Sequence, residues 1–184
     1  MLDVVRHFKR NFVKIELCFT SYSMTKNFEY NLTGTGWAEV IFTNDKKTVS
    51  FVASYLNDPL AELFEGLIKL KLGKTENEKI VFVEEPGEHS LILTKQQNGI
   101  LKVEIYWNEE WEELYLGHKN PDYQYKKQLI YSDTDTIQNF ISKICEGTDN
   151  LLKRLTLSEY KRLWSQYDFP IEIYIKIRQS KLLT

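Results

Sequence analysis

Side chains that carry covalent chemistry are scarce in this chain. It has three histidines and two cysteines in 184 residues. A nucleophilic triad needs a positioned nucleophile and base, yet none of His7, His89 and His118 lies in a nucleophile motif. A zinc site needs clustered ligands, and no two histidines are close in sequence. Cys18 and Cys145 lie far apart and fit no metal or redox spacing, so two buried thiols are expected. Gly34-Thr35-Gly36 lacks the third glycine and following helix of a dinucleotide site and the lysine of a phosphate loop. No cofactor and no metal are expected.

Long apolar runs are also missing, which argues against a membrane span. Charges interrupt the first ten residues too often for a signal-peptide core. A cytoplasmic protein is expected, and the sequon Asn31-Leu32-Thr33 then carries no glycan. No linker rich in Pro, Gly and Ser divides the chain, so residues 1–184 are read as one globular domain.

What is present is core-forming material. Hydrophobic residues make up 42% and aromatics 14%. A chain of this size buries roughly 70% of its unfolded surface and needs no disulfide or metal staple. The net charge of −2 hides an asymmetry. Residues 76–113 hold ten acids and three lysines, a net of −7; residues 150–184 hold seven bases and three acids, a net of +4. The middle repels nucleic acid and attracts a cationic partner. The basic tail interleaves its charges with core positions and reads as a solvated helix face.

Periodicity supplies the elements. Residues 2–10 could form a short helix, and 12–20 alternate as a half-buried strand. A polar loop is expected up to Gly36. Ala38, Val40 and Phe42 alternate, as do Val49, Phe51, Ala53 and Tyr55, with Asn44–Lys47 as the hairpin turn. Asp58 is placed to cap a helix, Pro59 to open it and Gly73 to stop it. Strands are expected at 79–84, 88–95, 99–107 and 123–131, with Asn98-Gly99 as a tight turn. Asp135 with Gln138, and Thr156 with Glu159, read as capping boxes for two helices. Ile141, Ile144, Leu152 and Leu155 should bury against the strand face carrying Leu101, Val103 and Ile105. Residues 171–182 fit either strand or helix, and helix is favoured. The predicted fold is α+β, an antiparallel β-sheet meander with helices packed on one face, in the order β-β-β-α-β-β-β-β-α-α.

Two segments stand out. Glu84-Glu85-Pro86-Gly87-Glu88 gathers three carboxylates at a forced turn. Grouped like charges raise one another's pKa and suit acid–base work; a solvated hairpin tip is the plainer reading. Tyr106, Trp107, Glu109, Glu110, Trp111 and Tyr115 place rigid aromatic surface beside acids, a composition that suits a basic partner. The rings could equally fold back on the sheet. At least one of Glu84, Glu85 and Glu88 is expected to face a cleft or partner surface near Trp107.

Gly36-Trp37-Ala38, Ser54-Tyr55-Leu56 entering a helix, and the Glu-Pro-Gly-Glu turn resemble a family of small uncharacterised bacterial proteins. The resemblance covers residues 34–180 and implies a bacterial cytosolic origin; it carries no activity. By analogy with small bacterial proteins of this look, an immunity partner of a secreted toxin is one expectation. The leading expectation is a non-enzymatic module that binds a basic protein, with no nucleic acid and no membrane. The alternative is a small-molecule binder or enzyme using Glu84, Glu85 and Glu88 beside an aromatic-lined pocket. The sequence does not specify the oligomeric state.

Overall fold

The computed structural model describes residues 27–111 and 126–182. Seven strands and four helices are described: β1 (Asn27–Gly34), β2 (Trp37–Thr43), β3 (Thr48–Ser54), α1 (Pro59–Lys71), β4 (Asn77–Val83), β5 (Glu88–Lys95), β6 (Ile100–Asn108), β7 (Lys127–Thr136), α2 (Ile137–Arg154), α3 (Leu157–Trp164) and α4 (Ile171–Leu182). The class is α+β and the element order is the expected one, with α4 completing it. The strands form two antiparallel sheets rather than one meander. One has the order β1-β2-β3 and the other β4-β5-β6-β7. α1 intervenes between β3 and β4, so the hairpin-to-hairpin succession breaks there.

β1 falls where the sequence predicts a polar loop. Phe28 and Tyr30 are buried, while Glu29 and Thr33 between and beyond them are not. That alternation is a one-sided strand. The predicted helix 2–10 and strand 12–20, together with Cys18, lie outside the described residues. So do Tyr115, His118 and residues 123–125 of the last predicted strand.

Caps and turns largely follow the sequence. Asp58 accepts from the Ala61 N–H, with Pro59 at the first helical position. Thr156 and Glu159 make a reciprocal capping box. α2 differs by one residue: Thr136, not Asp135, is the N-cap and accepts from the Asn139 N–H. Asp135 instead pairs with Lys143 and accepts from the Asn139 side chain at 3.1 Å. Asn98 and Gly99 both take positive φ, 59° and 71°, as a tight β5–β6 turn requires.

One contiguous core joins the layers. Ile141 and Ile144 are fully buried, in the same core cluster as Leu101, Val103 and Ile105; Leu152 and Leu155 are only half-buried. Each fully buried aliphatic or Phe side chain contributes roughly 1.5–3 kcal/mol. α2 lies chiefly against β1, and Gly147 makes the closeness possible: a Cβ there would come 2.2 Å from the Phe28 carbonyl oxygen. Residues 171–182 are helical, burying Tyr174 and Ile177 and leaving Ile171 and Ile175 exposed. Asn44 does more than turn the β2–β3 hairpin. Its Oδ1 accepts from the Lys46 and Lys47 N–H groups, while its Nδ2 donates to Ser132 O of β7 at 3.0 Å, stitching the two sheets together.

Candidate functional site

Antiparallel pairing of β4, β5 and β6 brings the two singled-out segments to one end of the four-stranded sheet. Glu88 stands opposite both Val83 and Asn108, and His89 opposite Trp107. The β4–β5 turn closes through a hydrogen bond from Glu84 N to Gly87 O at 2.9 Å. The Glu85–Pro86 peptide is cis and Gly87 has φ +90°. A Cβ at Gly87 would meet Asn108 O at 2.5 Å and the Trp107 ring at 2.6 Å, so only glycine fits. The Trp111 indole N–H is shared between Glu84 O at 2.8 Å and Gly87 O at 2.7 Å. Segments 84–88 and 106–111 are therefore one surface.

The acids on it differ. Glu85, Glu109 and Glu110 are exposed and make no ion pair with any described residue. Glu84 is half-buried, and burial pushes its carboxyl above the usual carboxylate range. Glu88 is fully buried, so it is not an acid of the solvated turn tip. Its Oε1 accepts from Asn108 Nδ2 at 3.0 Å and Ser90 Oγ at 3.3 Å, and lies 4.0 Å from Lys79 Nζ. Its Oε2 has no hydrogen-bond partner among the described residues. A buried carboxylate held by an amide, a hydroxyl and a nearby ammonium is an internal brace of the sheet end. Lys127 is the cross-strand neighbour of Asn108 and gives the acidic end one basic edge.

The aromatics are likewise divided. Tyr106 donates to Glu104 at 3.3 Å on the outer face of β6. Trp107 and Trp111 are half-buried. His89, which lies in no sequence motif, also belongs to this sheet end. It is almost wholly buried, stacked on Phe51 with ring centroids 4.3 Å apart and tilted against Trp107 at 4.7 Å. Burial lowers its pKa to about 4, so the imidazole is neutral at pH 7. Its Nδ1 lies 3.3 Å from Glu84 Oε2 without the alignment of a hydrogen bond. Strand alternation was the available signal, since His89 shares the inner face with Leu91 and Leu93.

Among the described residues, no group of three or more His, Cys, Asp or Glu side chains is placed to hold a metal ion. None of their helices is long and apolar enough to cross a membrane. A surface depression of about 620 Å³ lies at the opposite sheet end, lined by Glu76, Lys95, Gln96, Gln97 and Ile100, without Glu85 or Glu88. No family model matches this chain, and neither a curated protein nor a solved structure is similar to it. The resemblance at Gly36-Trp37-Ala38, Ser54-Tyr55-Leu56 and the Glu-Pro-Gly-Glu turn thus rests on those motifs alone.

Proposed function

We propose that this protein is a non-enzymatic binding module whose acidic, aromatic sheet end receives a basic protein partner. The observation that carries this reading is the meeting of segments 84–88 and 106–111. It sets the exposed Glu85, Glu109 and Glu110 around the half-buried Trp107 and Trp111. Half-buried indoles offer rigid apolar area at low entropic cost, and carboxylates around them speed the approach of a cationic surface. The sharpest form of the proposal is an immunity role, in which a secreted toxin with a basic working face is the partner.

The small-molecule or enzyme alternative needs Glu85 or Glu88 in a concave site. Glu88 is sealed inside the sheet end and Glu85 stands in solvent, which favours the binding reading.

The test compares the native protein with the triple variant Glu85→Gln, Glu109→Gln and Glu110→Gln in pull-downs from the native host at low and high salt. The native chain is expected to recover a basic protein in stoichiometric amount. The triple variant should lose it while keeping its melting temperature, and the loss should be largest at low salt. Recovery of no stoichiometric partner, or equal recovery by the variant, defeats the proposal.

A further inference from the structure

A second cluster of acids lies away from this surface, where the first turn of α1 meets β4. β4 is an edge strand of its sheet. Edge strands present unpaired backbone groups that proteins generally cover. At Val81 the cover consists of side chains. Asn57 Nδ2 donates to Val81 O at 2.7 Å, and the Val81 N–H donates to Glu62 Oε2 at 3.4 Å. Asn57 Nδ2 also donates to Glu62 Oε1 at 3.3 Å, closing the set. Asp58, the residue between, caps α1 through Ala61 N at 3.3 Å. One short stretch thus starts the helix and fastens it to the sheet edge.

We propose that this corner is an acid-strengthened latch, holding the first turn of α1 against the β4 edge more tightly at acid than at neutral pH. Asp58, Glu62 and Glu65 share it. Among the described residues, no cation is paired with Asp58 or Glu62 there. From β1 and α3, the Tyr30 and Tyr160 hydroxyls, both fully buried, held neutral and without hydrogen-bond partners among the described residues, lie within electrostatic reach of Asp58. On the β4 side Lys69 of α1, about two turns beyond Glu62, pairs with Glu78 at 3.5 Å, and Lys79 lies 4.0 Å from Glu88. Ionisation therefore places negative charge where water is scarce and other acids are close.

The titration follows from that geometry. Burial, opposed by the Ala61 and Leu60 N–H groups and aided by Glu65, raises Asp58 from 3.8 to about 6. Burial raises Glu62 as well, against its bonds to Asn57 and Val81 and with help from Asp58 and Glu65. A carboxyl whose folded pKa exceeds its unfolded value binds its proton more tightly when folded. The corner is then firmest below about pH 4, loosens as pH rises toward about 6, and is constant above that. Release uncovers the Val81 N–H and C=O.

Amide hydrogen exchange on the full chain tests this, with opening equilibria taken at Ala61, Glu62 and Val81 after division by intrinsic rates. Opening should be about tenfold more populated at pH 7.5 than at pH 4.5, since one pKa unit is worth a factor of ten and local opening releases only part of the Asp58 shift. Asp58→Asn keeps a capping side chain without a charge and should remove most of the pH dependence; Asp58→Ser serves if the Asn variant does not fold. Amides of the β5–β6 hairpin provide the internal reference. Equal opening at both pH values, or an undiminished pH dependence in the neutral-cap variants, overturns the latch. Either result leaves the partner-binding proposal untouched.

Discussion

Two helical glycines should respond to alanine in opposite directions. In an unobstructed helix, Gly→Ala gains about 1 kcal/mol of propensity. At Gly66 of α1, a Cβ would meet only the Glu78 side chain, at 3.3–3.4 Å. The nearest atom, Glu78 Cβ, is tied to β4, but it need yield only a few tenths of an ångström, so Gly66→Ala should keep part of the propensity gain and stabilise by up to about 0.5 kcal/mol. At Gly147 of α2 the obstruction is β1 itself: Phe28 O at 2.2 Å, Phe28 Cδ1 at 2.8 Å and Phe28 C at 3.0 Å. A carbonyl fixed in a strand cannot rotate aside, so α2 must retreat by roughly 1 Å to restore normal contact distances. Overpacking of this kind costs about 1–3 kcal/mol, and a gap of that size forfeits a quarter to a half of the dispersion energy of the contacts it opens. Set against the propensity gain, Gly147→Ala should destabilise by about 2 kcal/mol. For a domain of this size that is a fall of about 4–8 °C in Tm. Urea unfolding of both variants beside the native chain reads the two signs directly. A Gly147→Ala protein as stable as the native one would refute the close α2–β1 approach, and equal shifts in both variants would show that propensity alone governs these sites.

His89 predicts a pH slope. Its folded pKa of about 4 lies below the usual 6.5, so the unfolded chain binds more protons between those values and stability rises with pH across that window. The contribution is about 3 kcal/mol as an upper figure; His89→Phe should flatten the slope in that range, and an unchanged slope would reject the buried neutral imidazole. The turn acids should separate by burial. Glu88→Ala leaves an Asn108 N–H without its acceptor and opens space, and should cost about 2–4 kcal/mol. Glu85→Gln should stay within about 0.5 kcal/mol of native in the same melts; equal losses in the two would contradict the division.

Much of the fold could be read from the chain because its signals are local. Asp58-Pro59, Thr156 with Glu159, and Asn98-Gly99 each act within four residues, and the structure uses all of them. β1 is not legible as a strand because its less buried positions are Asn, Glu and Thr, which resemble loop composition even though Phe28 and Tyr30 keep strand spacing. The division into two sheets depends on which strands pair across α1, a long-range matter with no local mark. Glu88 shows the same limit at the site. Beside Pro86-Gly87 it reads as a solvated acid, and only its burial with Ser90 and Asn108, on the strand face opposite His89 and Leu91, shows otherwise. The Trp111 bond to the turn spans more than twenty residues and left no trace in spacing. The outward Glu85, Glu109 and Glu110 were legible because turn and loop acids normally face water.

The docking of α4 bears on how the chain emerges from the ribosome. Phe64 of α1 packs against Tyr174 of α4, with ring centroids 5.3 Å apart, and Lys71 of α1 donates to the Ser180 carbonyl of α4. Tyr174 also donates to Cys145 O at 3.1 Å and to Asp149 at 2.6 Å, so the same ring ties α4 to α2. These partners are translated about 110 residues after Phe64, or roughly 5–20 s later at ordinary elongation rates. For that interval this part of α1 lacks its native cover. Nascent chains should therefore engage a chaperone that holds apolar segments until α4 has been synthesised.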